Sequence, residues 1–218
     1  MNSPKAAATS REPKTRGKGG SRLQLRDRAR LVLEDLSPTV AGGPFAVKRV
    51  VGDDVTVAAT IFADGHEQLA AELRWRAIPD RSWQCKAMKQ LPNDRWSAEF
   101  AIERAGRYEY VVEGWIDRFG GFRRDFAKKL EAGVAQPVDE AEGRALVEQA
   151  ADTSKGKLAA TLKAKLAELD QAKEESRAGL LLDKSLALLV RKADSRPHAL
   201  RSEPQIVDAE RIEARFSS

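Results

Sequence analysis

An α+β fold, with strands in the first half of the chain and helices in the second, is the architecture this sequence predicts, on three observations. Short segments of alternating apolar and polar residues, punctuated by Gly, Pro, Asn and Asp, fill residues 30–130, and a two-residue period marks half-buried strands. Beyond Gly133 the apolar spacing lengthens to three and four, as in Leu158, Leu162, Leu166 and Leu169, which places side chains on one helix face. Strands and helices do not alternate, so a doubly wound parallel sheet is not expected.

Residues 30–35 read as the opening strand, with Ser37-Pro38 and Gly42-Gly43-Pro44 as breakers before a second at 46–51. Gly52-Asp53-Asp54 turns the chain into 55–62, where Val55, Val57, Ala59 and Ile61 share a face. Residues 69–77 put Ala71, Leu73, Trp75 and Ala77 on one side and Glu72, Arg74 and Arg76 on the other, a strand with one solvated face. Strands at 83–89 and 95–102 follow, the latter aiming Trp96, Ala98, Phe100 and Ile102 at the core. The strongest signal is 106–117, which carries Tyr108 and Tyr110 on one face and Val111 and Trp115 on the other. Phe119-Gly120-Gly121 then reads as a turn into a last strand at 122–130. Seven or eight short strands at this spacing suit an immunoglobulin-like antiparallel β-sandwich over residues 30–134.

A small helical bundle is expected over 135–196. Asp139, with Glu142 three residues on, has the pattern of an N-cap, so a helix should start there and run to about residue 151. The run Leu180 to Val190 is apolar on more than one face and calls for burial against the other helices or a second subunit. Residues 197–218 read as a linker.

The formal charge of +5 and pI of about 9.4 invite a nucleic-acid reading until the charge is located. Residues 1–30 hold nine Lys and Arg against Glu12 and Asp27, so the rest of the chain is slightly acidic. Residues 1–29 are expected to be a disordered basic tail, because the first twenty are rich in Ser, Thr, Pro and Gly with almost no large apolar side chain. With no aromatic interleaving there, a nucleic-acid partner is not expected. The longest apolar candidate is broken by Asp183 and Lys184, so no membrane span is expected. One cysteine, Cys85, and no secretory signal point to the cytoplasm. The two histidines, His66 and His198, lie far apart and give no metal site.

No Gly-rich phosphate loop, nucleophile elbow or Cys-x-x-Cys pair occurs, so neither a catalytic constellation nor a cofactor is expected. Trp75, Trp96, Phe100, Tyr108 and Tyr110 fall in register with the core. Trp115, Phe119 and Phe122, beside Arg123 and Asp125, form the candidate site, a surface for a saccharide or a neighbouring domain.

The segments Leu33-Glu34-Asp35-Leu36-Ser37-Pro38, Phe45 to Asp53, Ile61 to His66, Asn93-Asp94-Arg95-Trp96 and Gly106 to Asp125, in that order and spacing, resemble the N-terminal part of bacterial alpha-1,4-glucan:maltose-1-phosphate maltosyltransferase, across nearly all of residues 30–218. The resemblance implies an immunoglobulin-like N domain carrying an inserted helical bundle, both contributing to a homodimer. It further implies retaining transfer of maltosyl from maltose 1-phosphate to an α-glucan by two carboxyl groups on a separate (β/α)8 barrel. Residues 210–218 resemble the lead-in to that barrel, and no nucleophile or acid/base position of the family falls in this sequence. The expected part is therefore a dimerisation and scaffold piece, inactive alone, with a second copy, a separately encoded barrel and an α-glucan as its partners; the alternative is a freestanding glucan-binding or protein-interaction module.

Overall fold

The computed structural model describes residues 31–39 and 46–211. The basic tail, the breakers at 42–44 and the final seven residues lie outside them. One sheet runs β1 (Leu31–Ser37), β3 (Asp54–Ala63), β7 (Arg95–Ala101), β6 (Lys89–Gln90). The other runs β2 (Val47–Val50), β10 (Gln205–Glu210), β8 (Gly106–Ile116), β4 (Leu69–Ala77), β5 (Gln84–Ala87), and β9 (Leu200–Arg201) pairs with β8. The inward faces are those the alternation predicts: Val55, Val57, Ala59 and Ile61 on β3 and Leu73, Tyr110 and Val112 on β4 and β8 are fully buried in one shared core. Polar atoms in it are matched, as where Trp96 Nε1 donates to the Ile61 carbonyl at 3.2 Å and the Tyr110 hydroxyl to that of Pro38 at 2.6 Å. Burial holds the Tyr110 phenol well above its usual pKa.

Three expectations are corrected. Residues 122–130 are not a strand but lie in a helix, α1 (Arg118–Glu131), whose Asp117 cap accepts from Gly120 N at 2.8 Å. Phe119, Phe122 and Phe126 are spaced three and four apart and stack ring on ring at 5.9 and 5.2 Å. The glycines misread as a turn permit close approach: a Cβ on Gly120 would stand 2.3 Å from the Asp117 carboxylate. Residues 197–211 are not all linker, since β10 inserts between β2 and β8 with Val207 and Ala209 buried. It runs parallel to β2, so this sheet is mixed rather than wholly antiparallel. Lastly, the Leu180–Val190 run is two helices, α4 (Glu174–Leu181) and α5 (Lys184–Ala193). Asp183 divides them and caps α5 by accepting from Ser185 N at 2.7 Å and Leu186 N at 3.0 Å.

With α2 (Pro137–Thr153) and α3 (Gly156–Gln171) these helices enclose a second core around Phe122, Phe126, Val147, Leu162, Leu181 and Leu186. Helix α2 starts two residues before the expected cap, at Pro137, whose missing N–H costs nothing there. Asp139 sits in the first turn, where its carboxylate accepts from Gln136 N at 2.8 Å and from Lys129 Nζ.

Two predictions follow from the helical core. Alanine favours a helix over glycine by about 1 kcal/mol, yet a Cβ at Gly143 would meet the Phe122 ring at 2.2 Å and Leu181 at 3.1 Å. Stacking on Phe119 and Phe126 leaves that ring little room to yield, so Gly143→Ala should lower stability by about 1–2 kcal/mol, a typical overpacking cost. Gly179 on α4 meets nothing within 4 Å, and Gly179→Ala should raise stability by about 0.5–1 kcal/mol. Urea unfolding of both variants checks the opposite signs. Separately, the Lys129 ammonium and the Gln136 N–H hold the Asp139 carboxyl below its usual pKa. A depressed folded-state pKa stabilises above the unfolded-state value and is lost as pH falls through the folded one. The melting temperature of Asp139→Asn should therefore lag wild type fully at neutral pH, the gap closing below about pH 4.

Candidate functional site

The two cores meet where β8 ends. The outer face of β8 carries Glu109, Val111, Glu113 and Trp115, and that of β4 carries Ala70, Glu72, Arg74 and Arg76, paired in register as Trp115 with Ala70 and Glu113 with Glu72. Two carboxylates directly opposite on neighbouring strands repel. Arg196, from the chain leaving α5, lies across both: its guanidinium donates to the two oxygens of Glu72 at 3.0 Å each and to Glu113 at 3.3 Å. Arg74 and Arg201 add weaker contacts to Glu113 at 3.5 and 3.6 Å, and Arg76 pairs with Glu109 along the same ladder. Burial works against the Arg196 charge, but the hydrogen bonds and field of Glu72, with Glu113 and Asp194, more than offset it, so its pKa lies above the ordinary arginine value. Local chain geometry delivers the side chain: Arg196 has φ +49°, a conformation fixed where Asp194 Oδ1 accepts from Arg196 N at 2.8 Å.

The same guanidinium stacks 3.9 Å from the centre of the Trp115 ring, with Arg191 at 5.8 Å. Trp115 is 1% exposed, Phe119 6% and Phe122 8%, so the three rings singled out in the sequence lie within the protein and offer no open face for a sugar to stack on. Arg123 is turned inward too, donating to the Leu182 carbonyl between α4 and α5. Asp125 stays apart on the outside of α1, paired with its neighbour Arg124 at 2.8 Å, which holds its carboxyl below the usual pKa. The structure thus gathers four of the five candidates at the sheet–helix junction and its helical side.

Arg196, Glu72 and Glu113 escaped the sequence reading. Glu72 was legible only as one of several outward charges on β4, and Arg196 lies in a stretch with no periodicity. The β4–β8 register was the one signal that joins them, because it sets Glu72 against Glu113 and demands a cation.

A carboxylate pair beside a tryptophan has the outline of a retaining glycosidase centre, which needs two carboxyls about 5 Å apart. Here both carboxylates are hydrogen-bonded to the Arg196 guanidinium, so the chemistry is that of an ionic staple. Among the described residues, no group of three or more His, Cys, Asp or Glu side chains is placed to hold a metal ion, and no helix is long and apolar enough to cross a membrane.

A two-sheet unit stapled to a helical unit that the chain enters from β8 and leaves toward β10 defines a paired structural module. The family of alpha-1,4-glucan:maltose-1-phosphate maltosyltransferase, domain N/S, matches residues 29–211, and the chain belongs to it. It is 36% identical over 191 residues to the Pseudomonas aeruginosa protein of that enzyme name, covering 87% of this chain and 29% of the relative. It is 41% identical to that of Chlorobaculum tepidum over 135 residues, 62% of this chain and 20% of the relative. The Methylacidiphilum infernorum protein matches at 33% over 202 residues, 90% of this chain and 29% of the relative. The chain thus spans less than a third of the length of these relatives.

Removing the staple tests the site. Arg196→Met should leave Glu72 and Glu113 opposed and cost about 3 kcal/mol, the lower end for breaking a buried pair because Arg74 and Arg201 remain. Adding Glu72→Gln to that variant should recover at least half. A urea midpoint for Arg196→Met equal to wild type would show that the junction does not depend on this arginine.

Proposed function

We propose that this chain is the N-terminal dimerisation and scaffold portion of a maltosyltransferase that extends an α-1,4-glucan from maltose 1-phosphate, inactive alone and working in the cytoplasm. The observation that carries the reading is the family match over residues 29–211, set against a chain that spans less than a third of its maltosyltransferase relatives. Commitment of Glu72 and Glu113 to Arg196 supports the absence of catalysis, since a retaining transfer needs one free carboxylate and one proton-donating acid. The two-sheet unit is read as an immunoglobulin-like sandwich. In support, the Tyr108 hydroxyl donates to the Arg104 carbonyl at 3.2 Å and accepts from its N–H at 3.1 Å, a tyrosine folded back onto the chain just upstream of its strand. Self-association through the helices is supported by Leu130, Val134 and Val138, large apolar side chains 36–70% exposed around the α1–α2 turn. The barrel and the α-glucan are the remaining partners of this reading.

Phosphate release from maltose 1-phosphate with glycogen as acceptor should be at the blank rate for this chain, and turnover by it alone would overturn the scaffold reading. Sedimentation velocity should show a dimer of the 24.0 kDa chain that Val138→Glu shifts toward monomer. A wild-type monomer at the highest attainable concentration would remove dimerisation from the proposal.

A further inference from the structure

Beside the ionic staple, the end of β8, the start of α1, helices α2 and α5 and the chain that follows α5 enclose a cleft of about 840 Å³. That volume is within the range of pockets that take small organic ligands. Its walls are mainly aliphatic, with Leu31, Ile116, Leu146, Ala187, Leu188 and Pro197 prominent among them. Leu188 is 60% exposed and Leu200, also on the cleft, 37%.

Charge in the cleft is one-sided. Arg118, Arg123, Lys184 and Arg191 line it with two carboxylates, Asp117 and Asp194. Both carboxylates are engaged by backbone, Asp117 capping α1 through Gly120 N at 2.8 Å and Asp194 accepting from Arg196 N at 2.8 Å. Arg123 reaches the Leu182 carbonyl, and its buried Nε has no acceptor among the described residues. Among the described residues, the Arg191 side chain is held only through the Trp115 ring. The Arg118 and Lys184 side chains form no hydrogen bond or ion pair with any described residue. Isolated surface cations are ordinary, but here they converge on one concave aliphatic space.

We propose that this cleft is a binding site for a small amphipathic anion, a compact apolar body carrying a single carboxylate, sulfonate or phosphate head. The aliphatic walls take the body, while Arg118, Lys184 and Arg191 are the cations available to the head. Sugars do not fit this description, because they want flat aromatic faces and many hydrogen-bonding partners, and Phe119, the one phenyl ring lining the cleft, is buried. The site is therefore separate from any glucan contact and independent of the maltosyltransferase reading. A ligand seated there touches β8, α1, α2 and α5 together and would stabilise the junction by mass action.

The test uses 1-anilinonaphthalene-8-sulfonate and its uncharged parent N-phenyl-1-naphthylamine as fluorescent probes on the full chain. The sulfonate should bind saturably, one per chain, and more tightly than the neutral parent. Arg118→Glu with Lys184→Glu should weaken the sulfonate by about tenfold or more, the worth of a charge-assisted contact, and leave the parent unchanged. Leu188→Glu should weaken both, and Lys163→Glu, away from the cleft, neither. All variants should keep the wild-type unfolding transition, since the substituted side chains are exposed. Decanoate and decyl phosphate as competitors distinguish a carboxylate from a phosphate head, and glucose 1-phosphate should displace nothing. Equal binding of charged and neutral probes, or indifference to both the double reversal and Leu188→Glu, would overturn the proposal. Displacement by an acidic leucine-rich peptide but by neither alkyl anion would overturn it in favour of a polypeptide dock.

Discussion

Two carboxylates facing each other across adjacent strands are the constraint on which the rest of this structure depends. Glu72 and Glu113 are cross-strand partners on the outer face of the second sheet, and in that position they repel unless a cation joins them. The cation arrives from 83 residues downstream of Glu113, after the whole helical unit has been built. Satisfying the pair therefore fixes where the chain must leave the helices, and from that point β9 and β10 can return to the sheet beside the strand from which the helices departed. Both ends of the helical insertion are tied to β8: Asp117 caps α1 one residue after the strand ends, and Arg196 lands on Glu113, three residues before that end. A long insertion costs little extra loop entropy when its ends are held this close.

Trp115 is buried beneath the same arginine. It belongs to β8 by backbone, yet its side chain lies on the outward face, under Arg196 and Arg191. Its indole Nε1 is buried with no acceptor among the described residues, which costs about 1–3 kcal/mol. Burial of so large an apolar surface, about 150–250 Å² for a tryptophan, together with the stacked guanidinium, offsets that cost.

Much of this architecture was legible because the sequence carries clean periods. β3, β4, β7 and β8 each announce themselves by alternation, and the inward residues match those the alternation names. Failures occurred where a local signal had two physical meanings. Gly120-Gly121 suggests a turn, but in α1 these positions admit the Asp117 cap and the approach of Gln68, while the Phe119, Phe122 and Phe126 spacing was the competing helical signal. β10 was missed because an alternating hexapeptide after Pro197 and Pro204 looks like a linker until the sheet that completes it is known. Of the junction, the aromatic residues were visible and the ionic ones were not. An arginine in an aperiodic stretch acquires a role only through the strand register it bridges.

The ionic staple is better understood as a device for specificity than as a source of net stability. Taking charges out of water costs several kcal/mol per ion, and well-packed apolar residues in their place are often as stable or more so. What apolar residues cannot supply is direction. A one-residue slip of β4 against β8 would turn Leu73 outward and Glu72 inward, and it would also remove both partners of Arg196. A hydrophobic patch on this face would accept the helical unit in several neighbouring positions, whereas a bidentate fork on Glu72 with a further bond to Glu113 accepts one. The ion group thus makes sheet register and helix docking conditional on each other, the requirement of a module whose two parts share a single strand as their common edge.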